Sequence, residues 1–460
     1  MKILKKLDTQ RIKAFYNGPI YPLIIAFLVV LGSITSLEVF FNILNCFFII
    51  TALVLCDTLR PVIINLCTFV FQISVKYSPF YPNYSNYYFT SWRLPVLIIL
   101  AVLIFLAIVF FIVKNKLYKG LSLKKTPLLL PLSIFSAVLL LNGAFSSGWV
   151  YKNLIYAGTQ TICFLFVFIF LYQGLKKEKA DEIGSYFAYI SMLMAFIIAA
   201  ELFHLYLTSD SIFIDGSINK VGVALGWGIW NLVGSSALVL IPMNFYGMQK
   251  NKYPWLYFIG ATLAWLTAIF SMSRNALIFS SLIYLASVLI FCFVGKKKKT
   301  FKILAVLGAL AFVAGFAVFF DKIYSVFKDF FDRGLSDNGR FALWRKTFTS
   351  FLEVPVFGKG FYGLGEVTDT FGPWPDSAHN TILQLLSAGG IVSLLAYGFY
   401  RFKTIIPFLK RPCILKTMLG LSIIGLLFGS LLDNFIFDVY PTFYMNAALV
   451  IAFKKNEEMN

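Results

Sequence analysis

Long apolar runs recur along almost the whole chain, and they restrict its fold more than any other feature. Many of them reach about 18 residues, which is long enough for a helix to cross a hydrocarbon core of about 30 Å. The runs mostly lack the polar face of a soluble helix, and they also lack the alternation of a membrane β-barrel. Because 59% of the residues are hydrophobic and only 13% are charged, we predict an all-α, polytopic integral membrane protein.

The apolar runs predict about twelve to fourteen transmembrane helices. A Gly-rich segment, 208–230, interrupts them, and we expect it to be re-entrant or interfacial. The predicted spans are 20–36, 39–55, 61–75, 94–113, 127–142, 154–172, 183–207, 231–248, 255–270, 276–294, 303–320, 381–400, 417–432 and 442–453.

Basic residues outnumber acidic ones by 40 to 21, which gives a formal net charge of +19. They lie in short clusters beside the apolar runs, whereas a nucleic-acid-binding protein gathers them on one polar face. Their distribution follows the positive-inside rule when both termini are cytoplasmic. This topology places the loop 321–380, Arg274, Glu38 and Asp433 outside, and it argues against nucleic acid as a partner.

The loop 321–380, called the outer loop below, is the only long polar interruption in the sequence. Loops of this length between spans usually carry function. It lies within a predicted core segment, 254–400, between an N-terminal transmembrane bundle, 1–253, and C-terminal transmembrane helices, 401–460. We expect the three segments to form one integrated membrane domain.

An amphipathic helix is predicted to begin at Arg340, inside the outer loop. Its aromatic residues follow a helical spacing and share one face: Phe341, Trp344, Phe348 and Phe351. A helix of this kind lies on the membrane surface. Arg274, at the outer end of a span, has the simple interpretation of an interfacial anchor. Together, however, Arg274 and Arg340 can hold a diphosphate, because the guanidinium fork suits phosphate oxygens.

His379 lies in the sequence Asp376-Ser-Ala-His-Asn380, where the outer loop returns to the membrane. Asp376 or Ser377 can cap the helix that begins here. The positive end of that helix would disfavour the protonated imidazole, and a neutral imidazole can act as a general base. An interfacial histidine without a catalytic role is the alternative. The other histidine, His204, lies one turn from Glu201 and is interpreted as structural.

The pattern Gly358-Lys-Gly360-Phe-Tyr-Gly363 matches a dinucleotide-binding fingerprint only by its letters. That fingerprint requires a preceding strand and a following helix within a βαβ unit. We interpret these residues as turn glycines, which can still bring the backbone close to a sugar or phosphate. The six cysteines show no CxxC or Cys/His spacing, so neither a metal site nor a cofactor is predicted.

In this order and spacing, four motifs resemble the O-antigen polymerase and O-antigen ligase superfamily of bacterial envelope enzymes. They are SRN at 273–275, GR followed by LW at 339–344, VPVFGKGF at 354–361 and AHNTILQLLSAGGI at 378–391. The resemblance implies a metal-independent, inverting glycosyltransferase that uses a polyprenyl-diphosphate-linked glycan at the outer face of the cytoplasmic membrane.

The resemblance also implies roles for individual residues. Arg274 and Arg340 match the arginines that hold the donor diphosphate, and His379 matches the histidine that activates the acceptor hydroxyl. Arg345, Trp344 and Asp376 are supporting candidates. No cofactor is implied. The implied partners are the lipid-linked glycan donor and acceptor, the bilayer, and a flippase and chain-length regulator of the same pathway.

Three functional alternatives remain open at this point. The family contains polymerases and ligases, and no local motif separates them; a composition rich in Phe, Ile, Lys and Asn favours a capsule or exopolysaccharide polymerase. A lipid-linked sugar transporter would use the outer loop as a lid, although no internal repeat supports it. A peptidoglycan glycosyltransferase would depend on Asp376 rather than on His379.

Overall fold

A computed structural model describes residues 2–35, 37–72, 93–209, 212–214, 217–218, 220–318, 320, 324, 328, 339–363, 378–431 and 433–459. The described residues are overwhelmingly helical, which confirms the predicted all-α class. The helices are α1 (Lys2–Asn17), α2 (Ile20–Thr35), α3 (Glu38–Leu55), α4 (Val62–Thr68), α5 (Arg93–Asn115), α6 (Leu129–Phe145), α7 (Tyr151–Thr161), α8 (Val167–Gly174), α9 (Ala180–Thr208), α10 (Trp230–Lys250), α11 (Pro254–Phe270), α12 (Arg274–Val294), α13 (Lys298–Val318), α14 (Arg340–Glu353), α15 (Thr381–Leu409), α16 (Ile414–Ser430) and α17 (Val439–Met459). Short 3₁₀ turns cover Phe69–Gln72, Lys220–Gly222 and Phe435–Phe437, and a π turn, Ile162–Phe166, joins α7 to α8.

Six helices in the described ranges are long and apolar enough to cross a membrane: α3, α5, α7 with α8, α9, α12 and α15. A bent pair, Gln10–Asn17 with Ile20–Thr35, adds a seventh if the two parts form one span. Helix α5 shows the surface expected beside lipid, because only Ala107 and Phe111 of its residues are buried. The polytopic fold is therefore confirmed, while the count of twelve to fourteen spans stays a prediction.

The Gly-rich segment before α10 forms two short antiparallel hairpins. Strand β1 (Phe213–Ile214) pairs with β2 (Ser217–Ile218), and β3 (Ala224–Leu225) pairs with β4 (Gly228–Ile229). In the second hairpin Ala224 lies opposite Ile229, so Gly226 and Trp227 form its tip. Strand β4 runs directly into α10 at Trp230.

The chain divides into two compact units. The first unit comprises Met1–Asn115, Asp181–Gly334 and Met418–Gly425; the second comprises Lys116–Ala180, Leu335–Thr417 and Leu426–Asn460. In the first unit, α10 is buried almost along its whole length. In the second unit α17 is the most deeply buried helix. The predicted boundaries at residues 253 and 400 stay a prediction.

Helix α15 is not the uninterrupted span that the sequence predicts. It breaks at Gly390, whose φ of 65° and ψ of −172° are not helical. The broken turn is completed by the segment after α14, because Lys359 and Gly360 donate their N–H groups to the carbonyls of Ser387 and Ala388 at 2.9 and 2.8 Å. The N–H of Ile391 in turn donates to the Pro355 carbonyl at 2.8 Å. The backbone groups released by the break are thus satisfied within the protein, as a membrane environment requires.

Candidate active site

His379 lies directly before α15 in an unusual backbone conformation. Its φ of 49° falls in the left-handed region, which few residues other than glycine adopt without strain. The cap of α15 is Asn380, whose Oδ1 accepts from the N–H groups of Ile382 and Leu383 at 3.0 Å each. The predicted capping residues, Asp376 or Ser377, were therefore wrong, because Asn380 caps the helix. His379 precedes the first helical turn, which weakens the predicted influence of the helix dipole.

The charged neighbour of His379 is Asp433, from the turn between α16 and α17. Nδ1 of His379 lies 3.1 Å from Oδ1 of Asp433, and the two side chains are 36% and 12% exposed. Burial acts to raise the pKa of the Asp433 carboxyl. The hydrogen bond and charge of His379, the backbone N–H of Asn434 and the charge of Arg340 outweigh that effect, so the pKa lies below its usual value. Asp433 is accordingly an ionised carboxylate at neutral pH.

A hydrogen-bonded frame fixes the relative positions of His379 and Asp433. The buried Gln384 accepts with Oε1 from the N–H of Ala378 at 2.7 Å and from Nδ2 of Asn434 at 3.0 Å. Asn380 adds a third link by donating to the Leu431 carbonyl at 2.8 Å. The residues beside His379 and Asp433 are therefore tied to the same small hydrogen-bonded network, which keeps the histidine–carboxylate geometry rigid.

Helix α14 confirms the predicted helix in the outer loop and supplies the other side of the site. Nε1 of Trp344 donates to the Ala378 carbonyl at 3.1 Å, so this supporting candidate holds the backbone next to His379. The buried positions of α14 are Thr347 and Ser350, whereas Phe341 and Phe348 are 67% and 46% exposed. The predicted aromatic face is therefore divided: Phe341 and Phe348 are exposed, as in a helix lying on a lipid surface, whereas Trp344 is half-buried against the protein.

Two arginines of α14 differ in their surroundings. Arg340, the first residue of the helix, is half-buried and close enough for its charge to lower the pKa of Asp433. Arg345, in the second turn of the helix, is exposed. The structure therefore brings His379, Arg340 and Trp344 together, and it leaves Arg345 at the surface. Asp376 lies outside the described residues.

A second carboxyl, Asp438, lies near Asp433 just before α17. Burial and the charge of Asp433 together raise the pKa of Asp438 to about 8, although part of the residue stays accessible. Asp438 is therefore protonated at neutral pH, next to a carboxylate that is ionised. Two carboxyls with such different environments have different chemical roles, one as an anion and one as a hydrogen-bond donor.

The glycine pattern at 358–363 serves packing within the chain. Gly358 and Gly360 have φ values of 65° and 87°, so both need the left-handed region. A Cβ atom on Gly358 would lie 2.5 Å from the backbone of Ala388, and one on Gly360 would lie 2.6 Å from Oγ of Ser146. The interpretation as turn glycines is confirmed, and at these two positions the space beside the glycine is occupied by the protein.

Arg274 belongs to the first unit, where it is the first residue of α12 and is half-buried. Ser273 caps this helix by accepting from the N–H of Ala276 at 3.4 Å. The Ser273 hydroxyl donates to Oδ1 of Asn231, from the first turn of α10, at 2.8 Å. The turn before Arg274 is therefore fixed to a neighbouring buried helix.

Asp433, Gln384 and Asn380 complete the site, and none of them was a candidate from the sequence. Asp433 was placed only on the outer side. A signal was present, because an acidic residue at the outer end of a span is uncommon. The repeat of polar residues at Asn380 and Gln384, one helical turn apart, was a second signal. Among the described residues no group of three or more His, Cys, Asp or Glu side chains could hold a metal ion.

Residues 259–398 match the family model described as O-Antigen ligase. No curated protein matches the chain. The matched region begins in α11 and ends in α15, and it contains Arg274, Arg340 and His379. It also coincides closely with the region that carries the sequence resemblance. Residues 259–398 are therefore similar to the O-antigen ligase family, and they lie within a polytopic all-α framework.

Proposed function

We propose that the protein is an inverting, metal-independent glycosyltransferase that polymerises polyprenyl-diphosphate-linked oligosaccharide repeat units. The match of residues 259–398 to the O-Antigen ligase family model supports glycosyl transfer with lipid-linked glycans. The observation that carries the proposal is the contact of 3.1 Å between Nδ1 of His379 and Oδ1 of Asp433. This pair supplies a general base where a diphosphate-linked donor needs one, since the diphosphate is already a good leaving group.

His379 acts as the base through Nε2. Because Nδ1 faces the ionised Asp433, the tautomer with hydrogen on Nδ1 is favoured, and Nε2 keeps its lone pair. The acceptor hydroxyl oxygen bonds to the anomeric carbon of the donor, while the bond from that carbon to the diphosphate oxygen breaks. The hydroxyl proton passes to Nε2, and the electron pair leaves with the diphosphate. Attack opposite the leaving group inverts the anomeric centre.

Arg340 and Arg274 bind the diphosphate and stabilise the charge that develops on it. Arg340 is well placed for this role because it opens α14 beside the His379 and Asp433 pair. Trp344, through the Ala378 carbonyl, keeps the base at a fixed distance from that arginine. Rigid placement of both groups favours reaction over mere binding. Arg345 and Asp376 keep lower-ranked supporting roles.

The site acts at the outer face of a bacterial cytoplasmic membrane, with both termini cytoplasmic. The distribution of basic residues supports this orientation. A ligase that transfers the finished glycan to lipid A-core or another acceptor is the second candidate, because the matching family is described as O-Antigen ligase. The two activities share the same base and the same diphosphate contacts and differ only in the acceptor.

A reconstituted reaction tests the proposal. The purified protein receives its host's polyprenyl-diphosphate-linked repeat unit in the presence of EDTA and without another acceptor. A ladder of lengthened products is expected. Transfer that requires an added second acceptor would replace the polymerase with the ligase. Movement of the carrier across liposomes without any transfer would overturn the enzyme and favour a transporter.

A further inference from the structure

A carboxyl group that the proposed reaction does not use is buried in the first unit. Glu201, in α9, has no exposed surface, and its Oε2 accepts a hydrogen bond of 2.6 Å from Nε1 of Trp227. A charge-capable group within a membrane helix is costly and commonly has a function. This short side-chain hydrogen bond joins α9 to the hairpin of β3 and β4.

Trp227 connects Glu201 with the start of α10. It lies at the tip of the hairpin, is 8% exposed, and packs against Phe71 with ring centroids 4.4 Å apart. Strand β4 follows at once and leads into α10 at Trp230. The hairpin tip is therefore fixed from two directions, by the carboxyl of Glu201 and by the Phe71 ring, and it sets where the first turn of α10 begins.

The first turns of α10 hold the turn that carries Arg274. Asn231 accepts the hydrogen bond from Ser273, the capping residue of α12, at 2.8 Å. One turn later Gly234 packs so closely that a Cβ atom there would lie 2.7 Å from Cβ of Ala276. Between these contacts Met272 is buried with a φ of 58°. A strained turn of this kind keeps its shape only when its surroundings determine it.

We propose that Glu201 and Trp227 are positioning residues that, through the hairpin, Asn231 and Ser273, fix Arg274 in the orientation that binds the donor diphosphate. This inference rests on the proposed role of Arg274 in diphosphate binding. It extends the site by a buried path: Glu201 to Trp227, the hairpin to Asn231, and Ser273 to the first residue of α12. None of these residues touches the substrate.

The test measures the Kd of polyprenyl diphosphate for the full chain in nanodiscs, so it does not depend on turnover. Trp227→Phe keeps the ring but removes the N–H donor. It should weaken binding by about tenfold, the size expected for a lost hydrogen bond to a charge-capable group. Glu201→Ala should do the same, whereas Glu201→Gln should restore most of the affinity because its amide oxygen still accepts from the indole.

Asn65→Ala is the matched control. Asn65 is 1% exposed, belongs to the same unit and donates to Asn45 while accepting from Tyr21 at 2.8 Å. It has no part in the proposed path. Its loss should lower the Tm as much as Trp227→Phe does and leave the Kd within about twofold of wild type. In an Arg274→Ala background, Trp227→Phe should cause no further loss of affinity.

Two results would overturn the inference alone: a wild-type Kd in Trp227→Phe while Arg274→Ala binds weakly, or an equal loss of affinity in Asn65→Ala. An unchanged Kd in Arg274→Ala would overturn the assignment of Arg274 and, with it, the inference. Normal diphosphate binding without any glycosyl transfer would instead count against the proposed reaction and leave the positioning path intact.

Discussion

The chemistry of the site depends on how one imidazole is held. His379 is fixed by a left-handed backbone, by the cap residue that follows it and by the carboxylate of Asp433. Each constraint comes from a different part of the chain. Nδ1 of the ring therefore faces Asp433, and in the proposed reaction Nε2 faces the acceptor hydroxyl.

Asp433→Asn should reduce kcat by about 10- to 100-fold, a part of the contribution of a general base. The amide preserves the shape of the side chain but loses the charge that selects the tautomer. Steady-state transfer assays measure the effect, with Asp181→Asn, a half-buried acid in the first unit, as the control. A kcat equal to that of the control variant would contradict the role given to Asp433.

Asp438→Asn should raise the Tm at pH 7. The pKa of Asp438 is raised from 3.8 to about 8 by burial and by Asp433, so the unfolded chain releases its proton above pH 3.8 while the folded chain keeps it up to about pH 8. The free energy of unfolding therefore falls as the pH rises from 3.8 to about 8. Asparagine is uncharged in both states and remains a good residue before a helix. Thermal unfolding in detergent should show the gain at pH 7 and little difference at pH 4; a lower Tm at pH 7 would refute it.

The sequence predicted His379, Arg340 and Trp344 as candidates because they share one short region with a recognisable order of motifs, and the structure brings these three residues together. The sequence did not predict the contact of Asp433 with His379, because 54 residues separate the two along the chain and only the folded turns bring them together. Gln384 and Asn380 contribute through several tertiary hydrogen bonds, which no residue spacing predicts.

Among the secondary-structure elements, the hydrophobic runs predicted the positions of several helices closely. They did not predict the break in α15 or the hairpin before α10. The predicted span 94–113 became Arg93–Asn115, and 276–294 became Arg274–Val294. The break at Gly390 was not predicted, because its driving force is pairing with the segment 355–360 rather than any local preference. The hairpin that carries Trp227 was missed for a similar reason, since its strands have only two residues each.

Gly390→Ala should destabilise the protein by more than about 1 kcal/mol. Its φ of 65° is unfavourable for alanine, and the Val356 carbonyl occupies the place of the new methyl group. Gly398, in the same helix, has open space and is the matched control. Gly398→Ala should be neutral or gain up to about 1 kcal/mol from helix propensity. Thermal unfolding of both variants gives the comparison, and equal Tm values would refute the account of the break.

At the scale of the whole molecule, the apolar composition dictates a membrane protein, and the basic clusters dictate its predicted orientation. The two compact units interleave along the chain, so neither corresponds to a continuous segment. A pattern of hydrophobic runs defines spans one at a time and carries no information about which spans pack together. For this reason the polytopic all-α class was predictable and the division into units was not.

The predicted orientation has a direct test. A cytoplasm-active fluorescent reporter fused after residue 459 should be active, and a periplasm-active phosphatase fused within the outer loop should be active as well. The reason is the excess of basic residues in the loops assigned to the cytoplasm. Reporters of the opposite type at the same positions serve as controls. If the control fusions were active instead, the protein would have the opposite orientation in the membrane.

The central claim is that His379 is the base of a glycosyl transfer, and the chain offers its own control in its second histidine. Transfer from the lipid-linked donor should fall by about 10²- to 10⁴-fold in His379→Ala. In His204→Ala, a change in α9 of the first unit, transfer should stay near the wild-type rate. Equal rates in wild type and His379→Ala, in variants that bind donor normally, would contradict the account.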